Sequence, residues 1–283
     1  MRRLHLHVIC LTALLAGCGS STSQLVKPPS TTASASATSR QLRGRALYIV
    51  HGFLNTTDDT CDLTNTMRRG GLYTQVINVS YPCSQSIATS GHALAEYICN
   101  TCDEQYGVDI IGHSMGGLVA RWAVEECGLS AYVHNLVTLG TPHQGATAAY
   151  LANALLGNPE QWQPTNWVES AAFSSLSVAG YADALTGLLP GSSTIRQLNQ
   201  PSHTNCDYFT IAGQVHPLPG MPINIPTDLV VATGNANWQG LGAECQRLTQ
   251  YVTPSNHTGL LHDDKALRLV KTILWKERSG PVG

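Results

Sequence analysis

Residues 106–127 read YGVDIIGHSMGGLVARWAVEEC: a short apolar run, then Gly112-His113-Ser114-Met115-Gly116, then apolar residues at three- and four-residue spacing. The first part has the pattern of a buried strand and the last that of a helix, so the pentapeptide falls on a strand-to-helix turn. A side chain projecting from so tight a turn needs neighbours without bulk two positions to either side, and Gly112 and Gly116 meet that need. The hydroxyl of Ser114 then stands at a helix amino terminus, where backbone N–H groups favour developing negative charge. Ser114 is therefore the candidate nucleophile. The N–H of Met115 is the candidate first donor to an oxyanion.

The same grammar extends outward. ALYIV (46–50), TQVINVSY (74–81), YVHNLVTLG (132–140) and CDYFTIAG (206–213) are short, nearly continuous apolar runs of the kind buried on both faces of a sheet. Residues 84–100, 114–127 and 265–275 carry helical spacing between or after them. Strand and helix in alternation predict an α/β protein with a mostly parallel, doubly wound sheet. The stretch 145–205 breaks the rhythm with Leu151, Leu155, Trp162, Trp167, Phe173, Tyr181 and Leu188 among few charges, and reads as a lid or cap inserted over the carboxyl edge of the sheet. The alternative is a merely structural helical hairpin.

A serine nucleophile on such a turn is followed along the chain by an acid and then a histidine. Eight acids lie between Ser114 and the late histidines. Glu125 and Glu126 ride the helix behind the serine, Glu160, Glu169 and Asp183 fall in the lid, and Glu244 adjoins Cys245. Asp207 begins a strand, whereas Asp228 follows one by a loop and precedes the apolar Leu229-Val230-Val231, so Asp228 is the candidate acid. His257 stands just before the closing helix, where it can swing over the sheet edge, and an imidazole with an ordinary pKa near 6.5 can pass a proton both ways. His262 competes with it. His51 and His143 read as loop residues without a catalytic role.

Taken together, VHGF (50–53), GHSMGG (112–117), VTLGTPHQG (137–145), TDLVV (227–231) and NHTGLL (256–261) resemble the secreted bacterial triacylglycerol lipases of the α/β-hydrolase superfamily. LLPGSSTIRQLN (188–199) is similar to that family's return from lid to strand. The resemblance spans Ala46 to Trp275 and implies an α/β-hydrolase fold and a Ser114–Asp228–His257 triad. It also implies a second oxyanion donor, the N–H of Phe53 after the first core strand. The implied activity is hydrolysis of carboxylic esters, lipase-like on acylglycerols, without a cofactor. The loop 214–227 is longer than the family's turn from strand to acid, and no carboxylate cluster asks for the calcium that some relatives hold. The same groups would serve an acyltransferase or a thioester or polyester hydrolase. A reading from another class is a surface lipoprotein that binds lipid or a partner without turnover.

Composition narrows the field further. Of 283 residues, 12% are charged and 43% hydrophobic, with a net charge of −2 and no basic cluster beyond the first three residues, so the chain has no electrostatic footprint for nucleic acid. Residues 1–17 read as an export signal: Arg2 and Arg3, an apolar stretch carrying His5 and His7, then small residues. Leu15-Ala16-Gly17-Cys18 resembles a bacterial lipobox, which implies acylation of Cys18 and anchorage in a membrane. One acyl chain holds marginally, at about 0.8 kcal/mol per buried methylene, and the modification supplies three. Residues 18–42, rich in Ser, Thr and Ala, read as a tether and 43–283 as the catalytic domain. Gly19 in place of Asp points to the outer membrane where there is one. Seven cysteines remain beyond Cys10 and Cys18. In an oxidising compartment they suggest bridges Cys61–Cys83 and Cys206–Cys245, with Cys99-x-x-Cys102 as a structural disulfide or a pair of buried thiols. Oligomeric state leaves no signal.

Overall fold

The computed structural model describes residues 44–146, 180–200, 202–215, 226–238 and 243–279. Six strands form one parallel sheet in the order β2-β1-β3-β4-β5-β6: β1 Ala46–Val50, β2 Gln75–Val79, β3 Val108–His113, β4 Val133–Leu139, β5 Ser202–Gly213 and β6 Ala243–Thr253. Helices α1 Cys61–Gly70, α2 Ile87–Thr101, α3 Met115–Glu125, α4 Ala182–Leu188, α5 Ser193–Leu198, the single turn α6 Thr233–Ala236 and α7 Asp264–Ser279 connect or close them.

The strands read as unbroken apolar runs because both of their faces are covered. Tyr48, Val50, Ile110, Leu136 and Tyr208 pack on one side against Ile87, Leu94 and Ile98 of α2 and Leu118 and Trp122 of α3. On the other side Leu47, Ile49, Ile111, Val137, Phe209 and Ile211 meet Leu63 and Met67 of α1 and Ala266, Val270, Ile273 and Leu274 of α7. Each such side chain contributes about 1.5–3 kcal/mol on burial. The chain winds outward from β1 to β2 and in the opposite direction from β3 onward. The switch point therefore lies between β1 and β3, the crevice where open sheets of this kind bind ligands. Register places Val50 beside Gly112 and Gly112 beside Thr138, so the turns after β1, β3 and β4 emerge at one edge.

Two elements were not anticipated. Edge strand β6 has no continuous apolar run. Its Leu248 and Val252 are exposed, whereas Tyr251 on the opposite face packs against the α7 side of the core. Helix α1 is mostly polar and hides only Leu63, Thr64 and Met67. The expected Cys61–Cys83 bridge is not formed. Cys61 is exposed on α1 and its thiol donates to Thr57 O at 3.5 Å, while Cys83 is buried in the core. Cys99 and Cys102 are both thiols at the end of α2, and burial pushes the Cys102 thiol above its ordinary value. The Cys206–Cys245 expectation depends on a side chain outside the described residues. The expected export signal and tether, and residues 147–179 of the expected lid, also lie outside the described residues. Helices α4 and α5, where the sequence suggests a return from a lid, pack Ala184, Leu185, Leu188, Ile195 and Leu198 into the core beside α2 and α3.

At the opposite end of the sheet a buried carboxylate ties four strands together. Asp109 on β3 accepts from Arg45 Nη1 (3.1 Å) before β1, Tyr73 OH (2.7 Å) before β2, and the backbone N–H (3.1 Å) and Nδ2 (2.8 Å) of Asn135 on β4. Removing one partner of a buried, hydrogen-bonded ion pair is costly because the other charge is stranded. Asp109→Asn is expected to lower stability by about 3 kcal/mol. Urea unfolding at neutral pH checks it, and a change below about 0.5 kcal/mol, the scale of an ordinary surface substitution, would contradict the role.

Candidate active site

Close packing dictates the turn that carries Ser114. Its backbone is held at φ 53°, ψ −126°, in the left-handed half of conformational space, by two hydrogen bonds. Ser114 N–H donates to Leu139 O (2.9 Å), and Gly117 N–H donates to Ser114 O (3.0 Å). A β-carbon on Gly112 would lie 2.5 Å from Gly117 Cα, and one on Gly116 would be driven into the carbonyl oxygens of Val50 and His51. Glycine at both positions lets α3 start directly against the ends of β1 and β3. Met115 is the first residue of α3, so its N–H is among the amides that no helical carbonyl can satisfy.

The turn after β1 runs alongside. A β-carbon on Gly52 would come within 2.9 Å of Ser114 Cβ, which sets the Gly52–Phe53 peptide beside the serine. The Phe53 ring meets Tyr181, at the start of the lid's return, edge to face at 5.6 Å. His51 is buried with its ring stacked on Tyr81 at 4.4 Å, and the Tyr81 hydroxyl donates to His51 O at 2.8 Å. It is a structural residue of the turn.

Asp228 and His257 are brought together from either side of β6. The Asp228 carboxylate is fully buried and receives three donors: Val230 N–H (2.9 Å) and Val231 N–H (2.6 Å) on Oδ1, and His257 Nδ1 (2.8 Å) on Oδ2. The His257 amide donates in turn to Asp228 O at 3.0 Å. With Nδ1–H committed to the carboxylate, Nε2 is the basic nitrogen and lies on the far edge of the ring. The His257 ring packs against that of His113, the residue preceding Ser114, at 4.7 Å between centroids. The backbone leaves no room for another side chain, since a β-carbon on Gly140 would sit 2.9 Å from Asp228 Oδ2 and 3.0 Å from His257 Nδ1. Gly140 has φ +56° and directly follows β4. His262, the competitor, pairs with Asp62 at 2.9 Å on an exposed surface.

Behind Ser114 lies a charged cluster that sequence reading overlooked. The Arg121 guanidinium on α3 is fully buried and grips Glu125 with two hydrogen bonds (2.8 and 3.0 Å). It also donates to Leu198 O and Asn199 Oδ1 at the end of the lid's return, and lies 3.8 Å over the Trp238 ring. His143 stacks on the other portion of the same network, 4.6 Å from Trp238, with Nε2 3.1 Å from Thr138 Oγ1. The signal was available: a single arginine in an otherwise apolar helix, with glutamate four residues on. Among the described residues no group of three or more His, Cys, Asp or Glu is placed to hold a metal ion.

A sheet of this order, with the serine turn after β3, an acid after β5 and a histidine after β6, defines an α/β-hydrolase. Solved structures with the same fold include the mature lipase BlEst2 of Bacillus licheniformis (17% identity, TM-score 0.52, covering 82% of this chain and 92% of that one). Others are mouse alpha/beta hydrolase domain-containing protein 10 (10%, 0.52, 90% and 97%) and a hydrolase from Pseudomonas aeruginosa (13%, 0.51, 82% and 90%). The sequence matches the family model for palmitoyl protein thioesterase over residues 46–208, more than half of its length, and the chain belongs to that family. Comparison with curated proteins returns no match. The lipase resemblance of the motifs thus holds for the superfamily and the fold, while the family is that of the thioesterases. The match takes in Phe53, Ser114 and Met115 and ends before Asp228 and His257.

Burial pushes His51 below its ordinary value of 6.5, and His113 and His143 well below it, with His257 adding to the effect at His113 and Arg121 at His143. All three bind a proton more readily once unfolded than when folded. The unfolded chain therefore holds more protons at pH values below about 6.5, and stability, full above that value, is lost as the pH falls. The loss is expected to reach up to about 1.4 kcal/mol per pH unit for each histidine. Urea unfolding compared at about pH 7.5 and about pH 5.5 measures it, and an unchanged midpoint would contradict the assignment.

Proposed function

We propose that this protein is a serine hydrolase that cleaves acyl esters through an acyl-enzyme on Ser114. The observation that carries the reading is the 2.8 Å bond from His257 Nδ1 to the buried Asp228 carboxylate, with the His257 ring packed on the residue before Ser114. In this mechanism His257 Nε2 accepts the Ser114 hydroxyl proton as Oγ attacks the carbonyl carbon, and Asp228 holds the imidazole in the required tautomer and stabilises the imidazolium. The N–H groups of Met115 and Phe53 receive the tetrahedral oxyanion, a contribution of about 3–4 kcal/mol per donor. His257 returns the proton to the leaving group. Water, deprotonated by the same imidazole, then releases the acid.

The lipase-like expectation makes oxygen esters of long acyl chains the first substrate class. Family membership favours a second, acyl thioesters, because attack at the carbonyl and collapse of the same intermediate require no additional group when the leaving atom is sulfur. We further infer export and anchorage in a membrane through acylated Cys18, in keeping with a substrate at a lipid surface. Replacing Cys18 by Ser is expected to shift the protein from the membrane to the soluble fraction on cell fractionation, and unchanged partition would remove the anchor from this account.

The triad is tested with p-nitrophenyl esters and acyl thioesters of increasing chain length. Ser114→Ala is expected to reduce kcat by about 10⁶-fold and Asp228→Asn by about 10⁴-fold, with the fold kept. Turnover by Ser114→Ala comparable to the parent protein would refute the mechanism. Failure of the parent protein to react with a fluorophosphonate would favour a lipid-binding protein without turnover.

A further inference from the structure

His113 is buried at the centre of the site, and neither its burial nor its bonding is required by the mechanism just described. Its Nε2 lies 3.0 Å from the carbonyl oxygen of His257. A carbonyl only accepts, so Nε2 carries the proton and Nδ1 is the bare nitrogen. That Nδ1 is buried and has no hydrogen-bond partner among the described residues. It faces Gly52, where an added β-carbon would stand 3.1 Å away. The His113 imidazole therefore touches the turn of the second oxyanion donor and the loop of the base, and its own residue directly precedes the nucleophile. Leaving a ring nitrogen unsatisfied in a buried place costs free energy that an aliphatic side chain of similar size would avoid. A core filler has no reason to carry that cost.

Resting on the triad reading above, we propose that His113 is a positioning residue: its Nε2–H holds the His257 main chain, and so sets the reach of the His257 imidazole toward Ser114. The base sits on a loop, between β6 and the turn Gly259–Leu261. The Asp228 carboxylate bond fixes the tilt of its ring, whereas the carbonyl bond to His113, on the other side of the His257 Cα from the amide bond to Asp228 O, fixes where along the sheet edge the ring's backbone stands. His113 suits this task because it is neutral. Burial first, and the neighbouring His257 second, hold it well below its ordinary value, so it offers one donor in one tautomer and adds no charge beside the base. A displacement on the order of 1 Å in such a group can cost about 100-fold in rate.

The test compares His113→Phe, which keeps a ring and loses the donor, with His113→Gln, whose amide nitrogen falls near the position of Nε2. Both are assayed with p-nitrophenyl butyrate, beside Ser114→Ala and His257→Ala, and folding is followed by circular dichroism and thermal midpoint. His113→Phe is expected to lose about 10- to 100-fold in kcat with KM within about threefold, and His113→Gln to stay within about fivefold of the parent. If His113→Phe does not accumulate as folded protein, His113→Asn replaces it. Its amide is one bond shorter, cannot span the distance, and is expected to show the same loss. Equal kcat for the Gln variant and the donor-lacking variant, or a change in KM alone, would overturn the proposal and leave His113 as packing. Full activity in Ser114→Ala or His257→Ala would instead refute the triad itself, an outcome separable from the first.

Discussion

The contact on which the rest of the molecule depends is the approach of α3 to the carboxyl ends of β1 and β3. No atom can stand between the backbone of Gly116 and the carbonyl oxygens of Val50 and His51, or between Gly112 and Gly117. This absence of side chains lets the helix begin within one residue of the strand's end. It also forces Ser114 into a conformation that residues with a β-carbon seldom adopt. The strain is sustained by the surroundings: a backbone bond to Leu139, a parallel sheet covered on both faces, and the Gly52 turn pressed against the serine from the other side.

Buried charge is managed differently at three depths. Asp109 is neutralised by Arg45 and saturated with donors at the amino end of the sheet, where it binds strands together. Arg121 is satisfied by Glu125, by carbonyl and amide oxygens and by the face of Trp238, and in this way it joins the helix behind Ser114 to the end of the lid's return. Among the described residues Asp228 pairs with no arginine or lysine; two backbone amides and an imidazole supply its donors. The first two are closed networks. The third leaves one imidazole nitrogen unused by the acid, and that asymmetry separates a site able to accept a proton from one that only holds the fold.

Much of this was legible in the chain itself. The five apolar runs become β1 to β5 with boundaries shifted by a few residues, because strands buried on both faces carry their own hydrophobic signature. Strand β6 does not, since one of its edges and part of one face meet solvent, and the polar pair Thr249-Gln250 separates Leu248 from Tyr251. The loop 214–227 is longer than the family's turn from strand to acid, yet the Asp228 carboxylate is placed by bonds to Val230 and Val231, three residues or fewer away. The bridge Cys61–Cys83 failed for the converse reason: spacing along the chain carries no information on whether two side chains face each other, and here one points to solvent and the other to the core.

What the sequence determined alone was whatever acts over a few residues: the periodicity of the strands and the small residues around Ser114. These are short-range demands of sterics and solvation, and they leave their mark on adjacent letters. Tertiary structure alone decided that His262 turns outward to Asp62 and that Arg121 of α3 is buried. It also decided that His113 reaches a carbonyl 144 positions away. Such pairings arise from how the helices and loops close over a common sheet, where hydrogen bonds and excluded volume act across space and bear no relation to distance along the chain.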